Sequence, residues 1–234
     1  VNKYIAELVG TAILIILGCG SVALTNFGSS GPVGLVAIAL AFGFAVVGLA
    51  YALGPISGCH LNPAVTIAAF SARRLPQSQL FGYIIAQFVG TTIGAGILAI
   101  ILAGKLSGYD LAVAGLGQNG WGEGYLGEFS ASAAFTVEII GTFVLCYIVL
   151  LATRDEAHSK FAGMAIGLTV VVLLLAFINV SGASFNPARS FGPAVFVGGN
   201  ALKQLPLFLA APVIGGLLAG LAARRTTASL TAAA

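Results

Sequence analysis

From Leu8 to Ala72 the chain carries no Asp, Glu, Lys or Arg, and further charge-free runs cover Leu75–Gly104, Ile139–Thr153, Phe161–Ala188 and Gln204–Ala223. A helix in a soluble bundle interleaves a charged face with its apolar stripe, and these runs show none. About 20 apolar residues cross a hydrocarbon core. Divided at their Gly, Pro and charged turns, the runs predict six crossings: Tyr4–Leu24, Val33–Leu53 with a stop at Gly54-Pro55, Gln79–Ala103, Ser130–Ala152, Phe161–Val180 and Leu205–Ala223. Two apolar pieces, Pro63–Ser71 and Pro187–Val197, are too short to cross and read as half-helices entered from a loop. The expected fold is an all-α membrane protein of six transmembrane helices plus two re-entrant half-helices.

The half-helices open on near-copies of one motif. Ser57-Gly58-Cys59-His60-Leu61-Asn62-Pro63-Ala64 is matched by Ser181-Gly182-Ala183-Ser184-Phe185-Asn186-Pro187-Ala188. In each, Asn stands where an N-cap belongs and Pro at the first helical position, where its missing N–H costs nothing. Other stretches repeat as well: Ile5–Thr11 resembles Thr136–Thr142, Gly43 pairs with Gly167, and Ala86-Gln87-Phe88-Val89-Gly90 echoes Ala211-Pro212-Val213-Ile214-Gly215. Three crossings per copy force the second copy to enter from the opposite side. Residues 1–115 and 129–225 are thus expected to be inverted repeats within one membrane domain, placing the half-helices on opposite faces.

Composition adds orientation. Charged residues make up 7% of the chain and hydrophobic ones 59%, with a mean hydropathy of +1.05. Lys3, Arg73, Arg74, Arg154, Lys160, Arg224 and Arg225 fall on one side of the predicted membrane, and only Lys105 and Lys203 on the other. The positive-inside rule makes both termini cytoplasmic, as an even number of crossings requires. The scattered net charge of +3 gives no basic patch, so no nucleic-acid partner is expected; membrane lipid is. The turn Asn26–Pro32 and the Gly-rich connection Gly104–Glu128 are extracellular, the aromatics Trp121 and Tyr125 of the latter at the interface, and the Ala/Thr tail after Arg225 reads as disordered. The first segment has no small-residue cleavage site and is expected to be retained. Three cysteines, Cys19, Cys59 and Cys146, exclude a paired disulfide framework, and no metal-ligand spacing, cofactor motif or nucleophile–base pair appears. No catalytic residue, metal or cofactor is expected, and no enzyme.

Two half-helix N-termini meeting near the midplane would present unpaired N–H groups and about half a positive charge each. If Asn62 and Asn186 accept backbone N–H bonds through Oδ1, their NH₂ groups are free to donate into a pore. A water offering its oxygen to both turns its hydrogens outward, while cations and protons are repelled. Arg189, a permanent charge in the second charge-free half, belongs in a watery cavity at the narrow extracellular part of the pore. Glu7 and Glu138, repeat-related and intramembrane, are expected to accept hydrogen bonds from the loop backbone before each half-helix. His60 is expected to satisfy loop carbonyls, and His158 to be plain surface in the cytoplasmic turn Arg154–Lys160. Inverted repeats with broken helices also build secondary transporters, but these turns offer no acidic or His ion site.

The paired motifs, with Asn186-Pro187-Ala188-Arg189-Ser190-Phe191-Gly192-Pro193 the most specific, resemble the aquaporin (major intrinsic protein) family over nearly the whole chain. Ser190 looks like the water-channel branch rather than glycerol facilitators, which usually have Asp there. Ala39–Phe44 and Ser-Gly-Cys-His also look like prokaryotic, particularly archaeal-type, members. The resemblance implies a right-handed bundle, a pore in each protomer and a homotetramer in the plasma (cell inner) membrane. It carries the pore motif onto Asn62, Pro63, Ala64, Asn186, Pro187 and Ala188, and the selectivity filter onto Phe42, Leu174, Ala183 and Arg189. Strict water channels usually have His where Leu174 stands. Leu174 and the small Ala183 therefore imply water flux with some leak of small neutral solutes such as glycerol, the nearest alternative being a glycerol facilitator. Cys59, beside the first turn, is a candidate mercurial site.

Overall fold

A computed structural model describes residues 2–25, 32–155 and 159–233, without the side chains of residues 32–33 and 230–233. The turn Asn26–Pro32 lies almost wholly, and His158 wholly, outside the described residues. Helices run in the order α1 (Lys3–Leu24), α2 (Pro32–Ser57), α3 (Pro63–Ser71), α4 (Gln77–Ala103), α5 (Leu111–Ala114), α6 (Ala131–Ala152), α7 (Ala162–Ser181), α8 (Pro187–Val197) and α9 (Gly199–Ala233). Six of them are long and apolar enough to cross a membrane, and no strand occurs among the described residues.

The short helices form for the local reasons the motif implies. Asn62 and Asn186 are extended N-caps whose side chains accept from the first turn, with Pro next in line. Gly182 closes α7 in the left-handed conformation at φ 76°, which glycine adopts without steric cost.

Two predicted ends are corrected. The second crossing does not stop at Gly54-Pro55 but continues to Ser57. A single Pro removes one ladder bond, and the turn recovers with Gly58 N–H donating to the Gly54 carbonyl at 2.9 Å. The last helix begins at Gly199, passes Pro206 and Pro212, and extends beyond Arg225 to Ala233, so the tail is helical rather than disordered. After Gly220 it contains no Gly or Pro, and Ala, Leu and Arg are strong helix formers.

Packing follows the internal repeat. α1 crosses α4 as α6 crosses α9, and α2 lies against α7. At each crossing small residues let backbones touch, as association inside a membrane favours. A Cβ on Gly90 would lie 2.3 Å from the Leu8 carbonyl, and one on its counterpart Gly215 would lie 2.4 Å from that of Ile139. At the α2–α7 contact, Gly43 and Gly167 face each other's carbonyls. Arg74 donates to the Leu150 carbonyl at 2.7 Å and to the Thr153 carbonyl at 2.8 Å, placing a cation on the last turn of α6 where the helix dipole favours it.

The connection Gly104–Glu128 is partly packed into the protein. It folds inward after α5, burying Leu116 and Asn119. Its aromatics are tied into the protein: the Trp121 ring packs on Phe208 and the Tyr125 hydroxyl donates to the Gln118 carbonyl at 3.0 Å. Gln204 brackets Trp121, donating to its carbonyl and accepting from its N–H, both at 3.0 Å. Trp121 and Tyr125 are both half-buried, with backbone groups of the segment satisfied within the protein.

Candidate functional site

The two re-entrant loops meet at their asparagines. Asn62 Oδ1 accepts from Ala64 N–H at 2.8 Å, and Asn186 Oδ1 from Ala188 and Arg189 N–H at 3.0 and 3.2 Å. Each amide then reaches across. Asn62 Nδ2 donates to the Phe185 carbonyl at 2.8 Å, and Asn186 Nδ2 to the Leu61 carbonyl at 2.9 Å. This corrects the expectation that the amides are free: one hydrogen of each pins the opposite loop and one remains. The positive ends of α3 and α8 converge here.

Both loops hold their shape against backbone strain. Gly58, Cys59 and Leu61 have positive φ, as do their counterparts Gly182, Ala183 and Phe185. For the non-glycine residues this conformation costs about 1–2 kcal/mol each, so neighbouring groups must over-determine it. A buried carboxylate does so in each half. Glu7 accepts from Ser57 Oγ at 2.7 Å and from His60 and Leu61 N–H at 2.9 and 2.7 Å. Glu138 accepts from Ser181 Oγ at 2.7 Å and from Ser184 and Phe185 N–H at 2.9 and 2.7 Å.

His60 meets a side chain rather than loop carbonyls. Its Nδ1 lies 3.1 Å from Thr66 Oγ1. That hydroxyl spends its one hydrogen on the Asn62 carbonyl at 3.0 Å, so it can only accept from the ring. With that hydroxyl as acceptor, the neutral His60 ring carries its proton on Nδ1 and leaves Nε2 as an acceptor. Gln87 completes the cluster, donating to Thr66 Oγ1 at 2.9 Å and to Glu7 at 2.8 Å.

A cavity of about 820 Å³ joins these parts. Tyr51, Arg74 and Thr153 line one end, Cys59, His60, Asn62 and Asn186 its middle, and Phe42, Leu174, Ala183 and Arg189 its far end. A second space of about 10 Å³ shares Phe42, Leu174 and Arg189 and continues to Gln118 and Tyr125. Three of the four filter candidates, Phe42, Leu174 and Arg189, line both spaces, and Ala183 lines the larger one. Arg189 is 5% exposed; its Nη1 donates to the Gly117 carbonyl at 2.7 Å and its guanidinium lies over the Phe42 ring, 5.1 Å from the centroid. Pro63, Ala64, Pro187 and Ala188 are buried in the first turns of α3 and α8. Cys59 lines the cavity, while Cys19 and Cys146 are fully buried.

Sequence reasoning missed Gly117, Asn119 and Gln87. Gln87 could have been found as an uncharged polar residue inside a charge-free run. Gly117 contributes only a carbonyl, for which no residue type is diagnostic, and Asn119 sits in a segment whose glycines signal turns without saying where they fold.

The major intrinsic protein family profile matches residues 1–223. The chain is 45% identical over 219 residues to Aquaporin Z of Rhodopseudomonas palustris, and equally to Aquaporin Z of Bradyrhizobium diazoefficiens, covering 94% of this chain and 90% of each relative. Both are bacterial, and the archaeal-type leaning of the sequence motifs draws no support from them. Among solved structures, the aquaglyceroporin of Plasmodium falciparum superposes with a TM-score of 0.82 over 99% of this chain and 98% of that one, at 24% identity, a likeness of fold.

Proposed function

The chain belongs to the major intrinsic protein family, and on that footing we propose that it is a passive water channel that excludes ions and protons and leaks small neutral solutes such as glycerol. It is a multi-pass membrane channel and not an enzyme. The observation that carries the reading is the cavity of about 820 Å³ lined by both asparagines and by Arg189. Water enters from the Arg74 end as a file and accepts from the remaining N–H of Asn62 and Asn186. The converging helix ends orient its oxygen inward and its hydrogens outward on both sides, which breaks the head-to-tail order a proton relay needs. On the side of the first loop, His60 Nε2 offers an acceptor to a water so oriented. At the constriction Arg189 repels cations and donates to the passing molecule.

Three filter walls, Phe42, Leu174 and Ala183, are apolar. A solute with a hydrocarbon edge and hydroxyls opposite therefore suits the passage, and this favours glycerol leak as the second activity. No Asp or Glu lines the cavity among the described residues, which leaves a proton- or sodium-coupled transporter without an ion site. The protein acts in the plasma (cell inner) membrane with both termini cytoplasmic, as a homotetramer with one pore per protomer, residues 1–115 and 129–225 being its inverted repeats. Stopped-flow light scattering on proteoliposomes tests the reading. Osmotic shrinkage should accelerate with protein content, and glycerol entry should exceed that of empty vesicles; glycerol entry equal to theirs would refute the leak.

A further inference from the structure

The two halves support their half-helices unequally. In the first, Gln87 on α4 bonds the hydroxyl of Thr66 and the Glu7 carboxylate. In the repeat the Gln87 position is Pro212, which cannot make either bond, and the hydroxyl equivalent to that of Thr66 is Ser190. A residue from outside the repeat serves Ser190 instead. Asn119, 3% exposed, accepts from Ser190 Oγ at 2.9 Å and donates through Nδ2 to the Ser181 carbonyl at 3.1 Å. It thereby ties together the two ends of the second re-entrant loop. Two residues earlier the same segment gives Arg189 its Gly117 carbonyl. No carboxylate lies within ion-pair distance of Arg189 among the described residues, so this carbonyl and the Phe42 ring carry its placement.

We propose that Asn119 is a positioning residue of the filter: by locking segment 117–119 onto Ser181 and Ser190, it sets where Arg189 stands and so how wide the constriction is. The proposal rests on the filter reading above. Asn119 touches no permeating molecule and acts through Gly117, Ser190 and Arg189.

The test is the ratio of glycerol to water permeability, measured on the same proteoliposomes for the wild type, Asn119→Ala, Ser190→Ala, the double variant and Arg189→Ala. Loss of the two hydrogen bonds of Asn119, to Ser190 and to Ser181, should raise the ratio by at least about threefold in Asn119→Ala. The double variant should exceed Asn119→Ala by little, since that change already cuts the bond between Asn119 and Ser190. Should Asn119→Ala fail to fold, Asn119→Asp, which keeps the acceptor for Ser190 but loses the donor to Ser181, carries the same expectation. A raised ratio in Arg189→Ala with a wild-type ratio in the Asn119 variants overturns the proposal and spares the filter reading. A wild-type ratio in Arg189→Ala overturns both.

Discussion

In the proposed filter Leu174 decides more than its chemistry first implies. With Phe42 and Ala183 it leaves Arg189 facing apolar walls, so a permeant losing its hydration there finds one polar side only. Leu174→His restores a second polar group and narrows the passage. Glycerol permeability should fall by about tenfold relative to water, a barrier change of about 1.4 kcal/mol, read from paired osmotic and solute assays; an unchanged ratio would mean that Leu174 does not line the limiting step. Cys59 poses the other question at this scale. It alone among the three cysteines lines the cavity, the others being fully buried. Mercury should therefore inhibit water flux, and Cys59→Ser should remove the inhibition. Inhibition of the serine variant equal to wild type would place the reactive thiol elsewhere.

The elements that matter most are α3 and α8, too short to be stable alone and held by their loops. Glu138 shows how. Replaced by Ala, it leaves the N–H groups of Ser184 and Phe185 buried without acceptors, at about 1–3 kcal/mol each. The strained left-handed residues Ala183 and Phe185 lose what fixes them. Glu138→Ala should unfold at markedly lower temperature in detergent and conduct little water; a melting temperature within a degree or two of wild type would rule out the supporting role. The helices themselves were legible from the chain because a charge-free run of fixed length has one meaning in lipid. The half-helices were legible because Asn-Pro at a helix start occurs twice at a constant spacing. Glu7 and Glu138 could be read as loop supports because a buried carboxylate needs donors and the loops supply them. The inward fold of residues 115–119 was not legible: its signals are glycines and one carbonyl, and its partners lie some 70 residues away. The cross-loop bonds of Asn62 and Asn186 escaped for the same reason, since they span more than 120 residues.

Across the whole molecule, two ordinary helix ends make one barrier in the proposed function. Either half-helix alone would favour an anion and repel a cation from its own side. Opposed, they create a positive maximum that a cation meets from both faces, and a dipolar molecule must reverse its orientation on passing it. In the proposed mechanism water does so at the cost of one hydrogen-bond exchange, whereas a proton hopping along the file is stopped, because the central water donates to both neighbours and has its oxygen engaged by the two asparagines, so it accepts from neither neighbour. The barrier belongs to the pair of loops, since Asn62 is anchored on Phe185 and Asn186 on Leu61. Asn62→Ala should thus act on both halves. It removes an N-cap worth about 1 kcal/mol and also frees the Phe185 carbonyl, so water flux should fall severalfold and part of the proton barrier with it. Vesicles loaded with a pH-sensitive dye report the second effect. Wild-type protein should add no proton flux at any protein content while water flux rises in proportion, and Asn62→Ala should add a measurable leak. A proton flux that climbs with wild-type protein would show that the opposed helix ends do not form the barrier.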